Sequence, residues 1–187
     1  LNSIKEHAIW SETLPIQMND KILEFLNSGF LYVHGRDHKF RPIVVFNINL
    51  IDPKTVDFEV VTAALTFGLE YIINELMLPG QVENWVFISN VKGMGLAHLA
   101  VQGVRKLFGY LQDHYKCRLY RMYLINASPL IHVPWSLIKK FLDGDTVEKV
   151  QIYKSNIPEN LHKHAHPSQV EQKFGGSAPN SSQSWPP

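Results

Sequence analysis

A single cysteine, Cys117, stands among 187 residues, which excludes an intrachain disulfide and a zinc site built on four thiolates. An intracellular compartment is the corresponding expectation. Charge of one sign is missing too: 18 basic residues against 17 acidic ones leave a formal net charge of +1. That balance excludes a general nucleic-acid binder, which must set many cations against phosphates, so any electrostatic role has to be local. No apolar run comes near the roughly 20 residues a helix needs to span a bilayer, and the first residues lack the basic-then-apolar order of a secretory leader. The expectation is a cytoplasmic protein that visits a membrane surface without crossing it. The chain starts at Leu1 rather than at a methionine, which leaves open that it is part of a longer protein.

Hydrophobic side chains are plentiful, at 45% of the sequence with 11% aromatic, enough for one domain with a sizeable core. Residues 1–30 read as two short helices, the second ending at Asn27, Ser28 and Gly29, where glycine suits a helix C-terminus. Four segments at strand length are rich in β-branched and aromatic residues: 43–50, 82–89, 119–126 and 147–154. Between them, residues 57–78 are apolar on nearly every face. Residues 96–115 set Leu96, Leu99, Val104, Leu107, Phe108 and Leu111 at helical spacing. Strands alternating with long helices predict an α/β fold with a largely parallel sheet. From Ser177 onward Ser, Pro, Asn and Gln take over, the composition of an unstructured tail.

Several patterns invite a chemical reading and carry little. Gly93-Met94-Gly95 lies between a strand and a helix, as a dinucleotide loop would, yet the third glycine position holds His98. His162, His164 and His166 alternate like metal ligands, but Pro158–His166 reads as a short helix, on which alternate residues diverge. Solvated histidines and no metal are the expectation. Cys117 with His114 lacks an orienting carboxylate and oxyanion donors, so an ordinary thiol and no enzyme are expected. Asn180-Ser181-Ser182 would matter as a glycosylation triplet only in a secreted protein. What remains is a greasy stretch from Pro129 to Leu142. From Pro134 it would place Trp135, Ile138 and Leu142 on one side of a helix and Lys139 and Lys140 on another. Pattern alone reads this as a core helix of an α/β domain.

The order of certain short motifs says more. Gly35-Arg36-Asp37 through Arg41-Pro42-Ile43-Val44 resembles the G-R-D-x-x-x-R-P entry of a CRAL-TRIO domain. Asn90-Val91-Lys92-Gly93 resembles that family's D-L-x-G, and Ile125-Asn126-Ala127 closes a strand similar to its Y-I-I-N-A. Trp135 to Asp143, followed by Thr146-Val147-Glu148-Lys149-Val150, looks like F-L-D-x-x-T-V-x-K-I. Pro167-Ser168-Gln169 and Phe174-Gly175-Gly176 are similar to its closing motif. The series covers about residues 20 to 176.

The resemblance implies a mixed, largely parallel sheet flooring an apolar lipid pocket, closed by a mobile gate helix. It also implies a division into residues 1–30, the remnant of an N-terminal helical region, 31–176, the lipid-binding domain, and 177–187, a disordered tail. Gate residues would be Leu130, Ile131, Val133, Trp135, Ile138 and Leu142. In the family's phosphatidylinositol-transfer branch, Arg118, Thr146 and Lys149 fit the headgroup positions, while Cys117 stands where relatives have an acidic residue. Trp85 and Phe87 fall where that branch uses a serine and a threonine for phosphatidylcholine; two residues apart, they share a strand face. The implied function is binding and transfer or presentation of a phosphatidylinositol-type phospholipid, with the bound lipid as ligand, no other cofactor, and a transient membrane surface as partner. A carrier of a sterol or isoprenoid, or a non-transferring interaction module, stays open.

Overall fold

The computed structural model describes residues 2–14, 16–52, 57–94, 102–182 and 185. Two helices open the chain, α1 (Asn2–Ser11) and α2 (Asp20–Asn27). Asn19 starts α2 by accepting a hydrogen bond from the Ile22 N–H at 3.0 Å, and Gly29 leaves it in the left-handed region at φ 83°.

Five strands follow, β1 (Leu31–Arg36), β2 (Pro42–Phe46), β3 (Trp85–Asn90), β4 (Leu119–Ile125) and β5 (Val150–Ile152), side by side in chain order. β1 is antiparallel to β2, and the remaining pairs are parallel. The helices between them are α3 (Phe58–Tyr71), α4 (Gln102–His114), α5 (His132–Ile138) and α6 (Gly144–Lys149). This is the mixed α/β architecture expected from the alternation.

The boundaries differ in instructive places. β1 lies outside the four expected strands, because His34 and Gly35 dilute its β signature; it forms by pairing across a tight turn with β2. The segment 43–50 stops being strand at Phe46, where the Asn47 amide donates to the Gly29 carbonyl at 2.7 Å and residues Ile48–Leu50 form a 3₁₀ turn. The segment 147–154 keeps only three strand residues, since Asp143 caps the preceding turn and holds Gly144–Lys149 as α6. In the stretch 57–78, α3 is followed by a π turn at Ile72–Leu76. Leu96 and Leu99 lie outside the described residues.

The sheet is covered unequally on its two faces. Its inner face carries Phe46, Trp85, Phe87, Met122 and Leu124, packed against α2, α3, α4 and the segment around α5. Its outer face carries Ile43, Val45, Val86, Ile88 and Tyr123, covered by the C-terminal 3₁₀ turns through Leu161, Ala165, Val170 and Phe174. β1 and the C-terminal turn at Pro167–Gln169 meet on this outer side. Gly35, at φ 72°, lies so close to the Gln169 carbonyl that a Cβ there would collide with it.

The tail expected to lack structure from Ser177 returns to the body over its described residues. Ala178 is buried and bridges to Glu171, and Trp185 packs edge-on against Phe67 and Tyr71. Composition misses this because Phe67 and Tyr71, which receive Trp185, are distant in sequence, and because composition does not register a specific bridge such as Ala178 to Glu171.

Candidate functional site

Among the described residues, two cavities lie between the inner sheet face and the helices. The larger holds about 500 Å³ at the end of the sheet where the parallel strands begin. Trp85 and Phe87 of β3, with Leu119 and Met122 of β4, make its floor; Phe108 and Leu111 of α4, and Tyr115 just beyond it, close it. The floor is strongly apolar: Trp85 and Phe87 are buried, with their rings near-parallel at 24° and 5.7 Å between centroids. Burial, then the nearby charge of Glu70, pushes the Tyr115 phenol far up, so this ring presents no anion to the cavity.

Polar groups gather at one rim, contributed by the turn of α6. Asp143 receives the Thr146 N–H and the Thr146 hydroxyl, both at 2.8 Å. Burial pushes the Asp143 carboxyl up, but these bonds and the Lys149 ammonium outweigh it and hold the group below the ordinary carboxylate value. Asp145, Lys149 and Lys116 border the same cavity, so the rim offers cations for an anionic group and carboxylates for hydroxyl donors.

Of the sequence-derived headgroup residues, Cys117, Thr146 and Lys149 all border this cavity, as do Trp85 and Phe87. Arg118 does not join them. Cys117 adopts a left-handed backbone, φ 64°, which turns the chain between α4 and β4 and sends the Arg118 guanidinium to the Glu83 carbonyl at 3.0 Å, against the loop before β3. Asp143, Asp145, Gln112 and Lys116 are rim residues that the sequence did not single out as site residues. The only signal for Asp143 was the D of F-L-D, which reads first as a helix cap.

The greasy stretch 129–142 is a 3₁₀ turn (Pro129–Ile131) running into α5. Ile131 and Ile138 are buried and Trp135 half-buried beneath it, and Leu142 borders the large cavity. Its other side is an exposed apolar strip: Leu130 at 61%, Val133 at 54%, Leu137 at 49% and Phe141 at 48%.

The remaining motifs take structural tasks. Asp37 is buried and receives the N–H groups of Lys39 and Arg41 and the Arg41 guanidinium at 2.8 to 3.0 Å, closing the β1–β2 turn. Arg41 also lies over the Tyr120 ring at 3.6 Å. The Asn126 amide donates to Asn90 at 3.0 Å, joining the ends of β3 and β4. The three alternating histidines separate: His162 sits near Gly175, His164 meets Tyr120 edge-on, and His166 hydrogen-bonds Ser168. His114 stacks on Trp10 at 4.3 Å. Among the described residues no group of three His, Cys, Asp or Glu could hold a metal ion.

A family model, the CRAL/TRIO domain, matches residues 26–176. The chain belongs to this family. Among CRAL/TRIO relatives, the phosphatidylinositol/phosphatidylcholine transfer protein SFH12 of Arabidopsis thaliana is 25% identical over 84% of this chain and 31% of its own length. The SEC14 cytosolic factor of Yarrowia lipolytica is 26% identical over 79% of this chain and 32% of its own. This chain thus spans about a third of the length of these curated relatives. The crystal structure of Sfh5 superposes with a TM-score of 0.74 at 13% identity, covering 96% of this chain and 66% of that one, a likeness of fold. Within the CRAL/TRIO fold, the matched motifs G-R-D and N-A hold turns together, whereas T-x-x-K borders a cavity.

Proposed function

We propose that the protein binds a phosphatidylinositol-type phospholipid in the sheet-floored cavity and moves it between membranes or presents it. The observation that carries this reading is one cavity combining an apolar aromatic floor with Thr146, Lys149, Asp143 and Asp145 at its rim. The Lys149 ammonium suits a phosphate, and the carboxylates suit inositol hydroxyls, a task for which the Cys117 thiol is poorly fitted. The names of the Arabidopsis relatives support the same ligand class.

A diacyl lipid carries on the order of 30 methylenes, whose exposure to water costs about 0.8 kcal/mol each. Taking a methylene at roughly the volume of a water, ~30 Å³, they require ~900 Å³, nearly twice the cavity. Loading therefore requires the segment around α5 to swing outward. Its exposed apolar strip makes that movement least costly at a bilayer, where Leu130, Val133, Leu137 and Phe141 meet acyl chains instead of water. We place the protein in the cytoplasm with transient membrane contact, in keeping with the relative named a cytosolic factor. Carriage and presentation need no bond making, so no turnover of the lipid is expected.

Transfer of labelled phosphatidylinositol between vesicles tests the reading. Lys149→Ala should lower it about tenfold, the scale of one hydrogen bond to a charged group, with an unchanged melting temperature. Equal transfer by variant and parent removes Lys149 from the site. A second reading, carriage of a smaller hydrophobe such as a sterol or isoprenoid, is favoured by the stacked rings of Trp85 and Phe87, which narrow the cavity. Native mass spectrometry of the purified protein, with organic extraction of what it retains, separates the two.

A further inference from the structure

Beneath α5 lies a second, smaller void of about 20 Å³, lined by Ile131, Trp135 and Ile138 above and by Ser89, Val91 and Leu124 below. Phe108 borders this void and the 500 Å³ cavity alike, and among the described lining residues it alone does so. One group in the small chamber is out of keeping with the rest. Ser89 is 1% exposed, and among the described residues its hydroxyl has no hydrogen-bond partner. Its place on β3 follows from the two-residue period: Trp85, Phe87 and Ser89 share the inner face, so the hydroxyl stands two positions deeper along the floor that the cavity already exposes.

A buried hydroxyl left unpaired is destabilising, and native folds seldom retain one without use. Ordered water is a poor answer here. The void is large enough for a single water, but a buried water normally holds two to four polar partners, and the chamber offers one hydroxyl among aliphatic and aromatic side chains. The missing partner is better supplied by a molecule that is otherwise apolar and reaches the chamber from the larger cavity.

We propose that the two cavities are one ligand channel gated internally by the Phe108 ring, and that Ser89 is a specificity-determining residue for an oxygen carried deep on the hydrocarbon part of the ligand. The proposal rests on the reading of the larger cavity as a hydrophobe site. It deepens that reading by naming the ligand class as an amphiphile with a second polar group, a hydroxyl or a carbonyl, remote from its headgroup. The headgroup stays at the rim of Thr146 and Lys149. The chain or ring system crosses Trp85 and Phe87, displaces Phe108, and brings its oxygen to Ser89 under α5. An unsubstituted chain on the same path leaves Ser89 unpaired and gains only the apolar contacts. An 18-carbon chain, at roughly 30 Å³ per carbon, needs ~540 Å³, close to the two volumes together.

Octadecanoic acid and its 12-hydroxy and 12-oxo analogues, titrated against a fluorescent hydrophobic probe, provide the test. The parent protein is expected to bind the oxygenated analogues roughly three- to tenfold more tightly than the plain acid, the span of one net hydrogen bond. Ser89→Ala should erase that preference while binding the plain acid at least as well, and it should melt no lower than the parent because it removes an unpaired group. Equal affinities in the parent, or a preference that survives Ser89→Ala, overturn the assignment of Ser89 and leave the carrier reading standing. Failure of all three acids to displace the probe overturns this proposal, and absence of labelled phosphatidylinositol transfer as well overturns the carrier reading beneath it.

Discussion

Trp85 and Phe87 leave β3 on the cavity side, and their near-parallel rings fill the place where the family resemblance of the sequence leads one to expect a serine and a threonine. Two consequences follow for choline lipid: the rings occupy volume, and neither offers a hydroxyl to the headgroup phosphate. The parent protein is therefore expected to discriminate against phosphatidylcholine in vesicle transfer. Trp85→Ser with Phe87→Thr should admit it. Both rings are buried, so truncation costs several kcal/mol if the space stays empty; a thermal melt establishes folding before transfer is measured. Efficient choline-lipid transfer by the parent sinks the exclusion argument.

At the scale of the element, α5 and the turn before it combine two faces that a core helix would not. Ile131 and Ile138 are buried, while Leu130, Val133, Leu137 and Phe141 stand in a strip along the other side, each about half exposed or more. A strip of that kind in water is costly unless it has an apolar surface to meet. Leu130→Ser with Leu137→Ser is expected to weaken sedimentation with lipid vesicles by roughly thirtyfold, since each leucine that enters the interface contributes on the order of 1 kcal/mol. The exposed positions make little contact with the core, so the melting temperature should stay within a few degrees of the parent. Unaltered vesicle binding by the double variant moves the membrane contact elsewhere.

At the scale of the whole molecule, the outer sheet face is closed by a buried carboxylate. Glu171 is 1% exposed and accepts the Tyr32 hydroxyl at 2.9 Å and the Ser181 N–H at 2.7 Å, with the Lys173 ammonium 3.0 Å away. This joins β1 to the last described residues. Burial, then the Glu171 charge, pushes the Tyr32 phenol far up, keeping it a donor. Glu171→Ala strips Tyr32 of its acceptor and should cost about 1.5–3 kcal/mol, read as a drop of several degrees in the melting temperature. Because the inner cavity lies across the sheet, lipid transfer below the melting range should persist. A variant that melts with the parent denies the carboxylate its closing role.

Much of this architecture was legible in the linear order of residues. Alternation of strand-like and helical segments dictated an α/β fold, and the ordered short motifs pointed to the family, because local propensity and short-range turns such as Asp37 to Arg41 are encoded by neighbours in sequence. The period of two put Trp85 and Phe87 on one face, and T-x-x-K put Thr146 and Lys149 on one turn. Tertiary structure alone decided the rest. The left-handed backbone at Cys117 turned Arg118 away from a rim to which its sequence position assigned it. β1 gained its strand from a partner, and the tail its order from Glu171, Phe67 and Tyr71. Nor could any pattern announce that Ser89 ends beneath α5 without a partner among the described residues, since whether a buried hydroxyl is satisfied depends on which distant elements close over it.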